Sequence, residues 1–305
     1  MKIGYFADGP WSHKAIEKLV NLDDIEICFI TPRYDTQDPI LKEWAKKLNI
    51  PFLIHENVNS KEFIENIAAY NADLLVSMSF NQILRKEIIS LPTKGFINCH
   101  AGALPFYRGR NPLNWVLIND EKDFGITVHM VDEGIDTGDI VLRELYNITD
   151  DDDYETLLNK AIFECANVLV KSIEGIRDKN VKLIKQTTIH PVGFYCGMRK
   201  EGDEVLTFNL TSRKIFNFVR AITIPGPGAR VKHNGEYVAI LKTEIIDDAP
   251  LYIGTPGEVV GRNSKGIIVK TQDSTILVSQ MAHVGCDGNL MPPVVPRYLI
   301  GTRFL

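Results

Sequence analysis

Apolar positions in the first 145 residues recur with two periods. Short β-rich runs at 2–7, 25–31, 52–55, 74–78 and 95–99 are strand-sized and almost continuously apolar. Between them the spacing predicts amphipathic helices over 13–21, with Ser12 as N-cap, around 41–48, over 61–70, and briefly near 85–90. Strands alternating with helices imply a mostly parallel sheet covered on both faces. Residues 125–131 and 140–148 then alternate apolar and polar across an Asp/Gly-rich turn, the pattern of an antiparallel pair. A long amphipathic helix over 154–176 should close this first domain, an α/β unit with a Rossmann-like sheet.

The pattern changes after about residue 190. One further helix is expected over 212–222, with Ile215, Phe218, Val219 and Ile222 on one face. It must stop at Pro225-Gly226-Pro227-Gly228. Short strands follow at 237–243, 257–262, 266–270 and 275–278, separated by turn residues, a spacing that suggests a small β-barrel of the OB type. The expected organisation is a domain over 1–190, a linker over 191–204 and an OB-like β domain over 205–305. No repeat or low-complexity segment interrupts it.

Composition narrows the class. The chain has 305 residues, 45% hydrophobic and 24% charged, which are globular values. Apolar runs such as Leu74-Leu75-Val76 are too short to cross a bilayer, and residues 1–8 lack the pattern of a secretory signal. Five scattered cysteines (Cys28, Cys99, Cys165, Cys196, Cys286), without a CxxC pair, fit a reducing cytoplasm and argue against a disulfide framework or a zinc site. The net charge of −5 argues mildly against a nucleic-acid partner. Residues 205–305 carry 11 Lys+Arg and 7 Asp+Glu, a balance of +4 that is ordinary for a domain surface.

Four segments offer chemistry. In Phe96-Ile97-Asn98-Cys99-His100-Ala101-Gly102, Asn98 and His100 lie two apart and share a strand face, at the carboxyl end of a strand where open α/β sheets bind ligands. A loop-capping Asn and a satisfied core His explain this segment equally well. Val131-Asp132-Glu133-Gly134-Ile135-Asp136-Thr137-Gly138-Asp139 reads by itself as a turn, since its acids lack EF-hand order. The run Leu104 to Trp115 places Arg108 and Arg110 in a loop that could clamp phosphate or carboxylate, or could be a solvated lead into a helix. The first turn, Ala7-Asp8-Gly9-Pro10-Trp11-Ser12-His13, has neither G-x-G-x-x-G nor a P-loop, which argues against NAD and ATP.

In combination these segments become specific. Asn98-x-His100, the following LPFYRGR loop and Asp136-Thr137-Gly138-Asp139, 36 residues beyond the His, resemble the formyltransferases that use N10-formyltetrahydrofolate. The resemblance covers roughly the whole chain. It implies Asn98, His100 and Asp136 as catalytic trio: oxyanion donor, general base, and the carboxylate that orients and stabilises the imidazolium. It implies donor contacts from the backbone of Gln82, Ile83 and Leu84, with Asp132 opposite. Arg108-Gly109-Arg110-Asn111-Pro112-Leu113-Asn114-Trp115 looks most like the sugar N-formyltransferases. On that likeness the substrate is a nucleotide-linked amino-deoxysugar held by Arg108, Arg110, Asn111 and Trp115, with a role in cell-surface polysaccharide (lipopolysaccharide or O-antigen) synthesis. The same likeness implies a cytoplasmic homodimer with no membrane or nucleic-acid partner. The alternatives are methionyl-tRNA formylation, which would demand a basic, salt-sensitive surface, and a non-catalytic ligand-binding homologue. Two departures stand out: Gly102-Ala103 where relatives carry Ser-Leu, and Thr207-Phe208 where the second domain usually opens with Asp-Trp.

Overall fold

A computed structural model describes residues 1–305. In chain order the elements of the first half are β1 (Lys2–Ala7), α1 (Gly9–Leu19), β2 (Glu26–Pro32), α2 (Pro39–Leu48), α3 (Lys61–Ala68), β3 (Leu74–Met78), α4 (Lys86–Ile89), β4 (Phe96–His100), β5 (Arg108–Gly109), α5 (Pro112–Ile118), β6 (Asp123–Met130) and β7 (Ile140–Asn147). There follow α6 (Tyr154–Arg177), α7 (Gln186–Ile189), β8 (Tyr195–Cys196), α8 (Ser212–Ile222), β9 (Ala229–His233), β10 (Glu236–Ile245), β11 (Val259–Arg262), β12 (Ile267–Lys270) and β13 (Thr275–His283). The chain forms two compact units, one of residues 1–112, 124–146 and 159–196, the other of 113–123, 147–158 and 197–305. No helix is long and apolar enough to cross a membrane.

The first sheet has the order β2-β1-β3-β4-β6-β7. β1 pairs in parallel with β2 and β3, and β3 with β4; β6 runs antiparallel to β4. This is the Rossmann-like, mostly parallel sheet that the alternation predicts. Apart from the exposed Lys2, β1 is buried, and so is all of β3, hence their nearly continuous apolar runs. Phe6 is the hub of one core cluster. It meets Phe29, Phe63, Phe80 and Phe96 at ring-centroid distances of 5.9, 6.2, 5.4 and 5.1 Å. Such aromatic pairs add about 1 kcal/mol each beyond area burial.

Helix starts follow local chemistry. The Ser60 hydroxyl caps α3 by accepting the Phe63 N–H, and Phe63 and Ile67 turn inward. The Asp38 carboxylate caps α2 through the Leu41 N–H. At α1 the expectation fails: the helix starts at Gly9, with Asp8 at the N-cap, and Ser12 is buried inside the first turn, donating to the Gly9 carbonyl. Pro10 permits the earlier start, because first-turn N–H groups need no intrahelical partner.

The strand expected at 52–55 is absent apart from a single bridge between Ile30 and Phe52. The Gln82 side chain holds the chain where the segment ends, donating to the His55 carbonyl and accepting the Val58 N–H.

The second unit carries a five-stranded antiparallel sheet, β11-β12-β13-β10-β9, the small β domain expected from the strand spacing. β9 was not anticipated, because it follows the Pro-Gly run directly. Its signal is the Asn234-Gly235 pair, both at positive φ, which turns His233 onto Glu236. Helix α8 matches its expected bounds, and its N-cap Thr211 accepts the Lys214 N–H. Arg213 ties this unit together through Asp120 at 2.5 Å and Asp150 at 2.7 Å.

Candidate active site

A cavity of about 470 Å³ opens at the carboxyl ends of β3 and β4. Its wall includes Ser77, Phe80, Asn98, His100, His129, Asp136, Tyr195 and Cys196, all from the first unit. The sheet builds its floor. Cross-strand pairing sets Asn98 opposite His129 and His100 opposite Thr127, so all four side chains lie on one face. Cys99 points the other way, toward the Cys165 carbonyl.

The Asp136 carboxylate is the centre of the polar network. Its Oδ2 accepts the Gly109 N–H at 2.8 Å and stands 3.7 Å from His100 Nδ1. Its Oδ1 lies 3.3 Å from His129 Nε2 and 3.5 Å from the Asn98 amide nitrogen. The same amide nitrogen approaches His129 Nε2 at 3.2 Å. Burial alone would push the Asp136 carboxyl up. The charge of His100, the hydrogen bond and charge of His129, and the Gly109 N–H outweigh it and hold the group well below the usual carboxylate range. Asp136 is therefore an anion throughout the working pH range.

His100 is buried and held by something other than the acid. Its Nε2 donates to the Tyr107 carbonyl at 2.7 Å, since a carbonyl can only accept. In the neutral ring this leaves the lone pair on Nδ1, the nitrogen that faces Asp136. The 3.7 Å separation is ionic rather than a hydrogen bond, so the carboxylate supplies charge while backbone fixes the ring. Thr127 holds the adjoining turn, donating to the Gly102 carbonyl and accepting the Leu104 N–H. The departure at Gly102 has a local reason: a Cβ there would lie 2.5 Å from His100 Nε2.

The structure brings the distant Asn98, His100 and Asp136 together around one hollow, and it adds His129. Nothing in the 123–130 strand pattern singled His129 out. What singles it out is its pairing across from Asn98 in the sheet. His129 Nδ1 donates to the Met130 carbonyl at 2.8 Å. Arg33 was also missed. It follows β2 at the sheet's carboxyl edge, lines the cavity and donates to the carbonyl and hydroxyl of Ser79 at 2.6 and 2.9 Å. Ser79 is left-handed, with φ of 58°, and turns the chain into the 80–84 wall.

The other predicted residues divide. Gln82, Ile83, Leu84 and Asp132 all line the cavity. The Leu84 side chain is packed in the aromatic core, the Gln82 side chain braces 55–58, and Ile83 is exposed. One Asp132 oxygen is occupied by the Gly134 N–H and the Thr137 hydroxyl. Of the four residues assigned to a sugar, Arg110 alone borders the cavity. Arg108 is buried, bonded to Gln186 and the Val192 carbonyl, and Trp115 in the second unit donates to the Gly197 carbonyl. These two residues of the loop motif hold the protein's own backbone and side chains. Burial pushes the half-buried Cys196 thiol up to about 11, so this side chain is no ready thiolate nucleophile.

Residues 15–173 match the Formyl transferase family and residues 199–287 match its C-terminal domain. The methionyl-tRNA formyltransferase of Fusobacterium nucleatum subsp. nucleatum is 38% identical over 240 residues, covering 78% of this chain and 76% of that protein. That of Clostridium tetani is 30% identical over 99% of this chain and 97% of its own. Among solved structures, the sugar 3N-formyl transferase WlaRD, in the presence of dTDP and 5-N-formyl-THF, has a TM-score of 0.68 at 22% identity. That match covers 92% of this chain and 97% of WlaRD; at that identity it speaks to the fold alone. Curated relatives at 27–38% identity carrying the tRNA activity overturn the expected amino-sugar substrate and the expected absence of a nucleic-acid partner. Net charge misled because it averages over the whole surface, and the loop motif misled because its Arg108 and Trp115 are structural anchors. By sequence and by architecture the chain belongs to the formyl transferase family.

Proposed function

We propose that this chain moves the formyl group of N10-formyltetrahydrofolate onto the α-amino group of methionyl-tRNA. The observation that carries this reading is the identity of 30–38% with methionyl-tRNA formyltransferases across 78% or more of the chain. A tRNA substrate also implies work in the cytoplasm. The polar network around the cavity supports the chemistry.

The attacking nitrogen must be unprotonated and must lose a proton as its bond to the formyl carbon forms. His100 Nδ1, freed by the Nε2 bond to Tyr107, is the acceptor in this reading. Asp136 at 3.7 Å stabilises the resulting imidazolium without a proton of its own. The Asn98 amide nitrogen has two hydrogens. One is directed at the Asp136 carboxylate, and the other is available to the oxygen on which negative charge develops. The bond from the formyl carbon to N10 then breaks, and the proton held on His100 passes to N10. The donor's formyl end would lie against the 80–84 wall, with the Phe80 ring and the backbone of Gln82 and Ile83 beside it.

The test is direct. Purified protein, formyl donor and methionine-charged initiator tRNA should yield formyl-methionyl-tRNA, with an apparent KM for tRNA that rises steeply with salt. Failure to formylate the charged tRNA, with the donor bound, would overturn the reading.

A further inference from the structure

Gln186 lies outside every motif, yet it is 3% exposed and wholly engaged. A two-way bridge between Ile140 and Ile184 sets the 184–186 segment beside the start of β7. From there the Gln186 amide nitrogen donates to the carbonyls of Asp136 and Gly138, both at 2.8 Å. Its oxygen accepts Arg108 Nε at 3.0 Å and Arg108 Nη2 at 2.7 Å. Arg108, 7% exposed, spends its remaining nitrogen on the Val192 carbonyl and lies over the Tyr195 ring at 5.3 Å. A primary amide alone among side chains of this size offers two donors at one end and an acceptor at the other. A carboxylate would satisfy the guanidinium and repel both carbonyls.

The loop needs this hold. Asp136 has φ of 53°, a left-handed backbone that a residue bearing Cβ occupies only when its surroundings fix it. Gly138 packs so tightly that a Cβ would fall 1.8 Å from the Met130 carbonyl oxygen. Freed of Gln186, the peptide after Asp136 could relax and swing the carboxylate away from both rings. We propose that Gln186, seated by the buried Arg108, is a positioning residue that locks the backbone of 136–138 and so aims the Asp136 carboxylate at His100 and His129. The proposal rests on the reading that Asp136 serves the transfer reaction.

Steady-state formylation of methionyl-tRNA by Q186A, Q186E, D136N and the double variant D136N/Q186A tests it. Q186A and Q186E should each lower kcat roughly 10- to 100-fold, the scale of a catalytic group displaced by about 1 Å. The KM for the formyl donor should stay within about 2-fold of wild type. Because Gln186 acts through Asp136, adding Q186A to D136N should cost less than about 3-fold more, whereas a merely structural loss would multiply in full. Q186M keeps the side-chain length, and the cycle is read in whichever of Q186A and Q186M keeps the wild-type unfolding midpoint. Unchanged kcat in that variant, or full multiplication on D136N, overturns the brace. Wild-type turnover in D136N would instead overturn the role of Asp136, and the proposal with it.

Discussion

Replacing Asp136 by asparagine removes one charge and almost no volume. The Asn carbonyl oxygen can still accept the Gly109 N–H, so the loop keeps its anchor. What disappears is the field at His100 Nδ1. At 3.7 Å, two unit charges attract by about 4.5 kcal/mol when the effective dielectric constant is about 20. The cavity admits solvent, and doubling that constant to about 40 leaves about 2 kcal/mol. Since about 1.4 kcal/mol is a factor of ten in rate, D136N should slow the chemical step by roughly 30- to 2,000-fold. Single-turnover formylation, with enzyme in excess over charged tRNA and saturating donor, reads that step. The affinity for donor should hardly change, because the carboxylate acts on charge that appears only as the proton is transferred. A D136N rate within about 3-fold of wild type would refute the electrostatic account.

Three further outcomes follow from the same geometry. N98A should cost roughly 10²- to 10³-fold in kcat with little change in donor affinity, the usual loss of one oxyanion donor; a purely capping Asn would instead lower stability and spare turnover. G138A should destabilise by about 1–3 kcal/mol in urea unfolding, and should lower activity too, because the new methyl displaces the Asp136 loop. Acid should destabilise the fold with a definite sign. The carboxyls of Asp38, Asp120 and Asp136 are held below their ordinary values in the folded chain. The unfolded chain therefore binds more protons below about pH 4. The stability these groups confer is complete above that pH and falls as pH drops through their folded values. Urea midpoints measured between pH 7 and pH 3 should stay flat at first and then decline; a rise toward pH 3 would contradict the network.

The sheet was legible because its central strands are buried on both faces, and burial writes itself as continuous apolar runs such as Leu74-Leu75-Val76. The convergence of Asn98, His100 and Asp136 on one hollow was legible only by combining segments, since neither Asn98-x-His100 nor the Asp136 loop is specific alone. The side of the site built from cross-strand neighbours was not legible. His129 faces Asn98 through strand pairing, which a linear pattern does not display. Gln186 and Arg108 act through hydrogen bonds 78 residues apart, where no period or spacing connects them. The loop arginine was misread for a related reason: sequence exposes a positive charge but not its burial. The 52–55 segment shows the converse: its composition is strand-like, yet it pairs with β2 only at one bridge, and its His55 carbonyl goes to the Gln82 side chain.

The opposed run of β4 and β6 carries an evolutionary consequence. Facing side chains in such a ladder alternate with a period of two, so inserting or deleting one residue upstream in β6 would rotate His129 out of the cavity and offer Met130 or Val128 in its place. Length changes in this stretch should therefore be accepted only in pairs, whereas the loop leading into Asp123 is free of that arithmetic. A deletion scan through 123–129 scored by growth would display the rule as a two-residue rhythm.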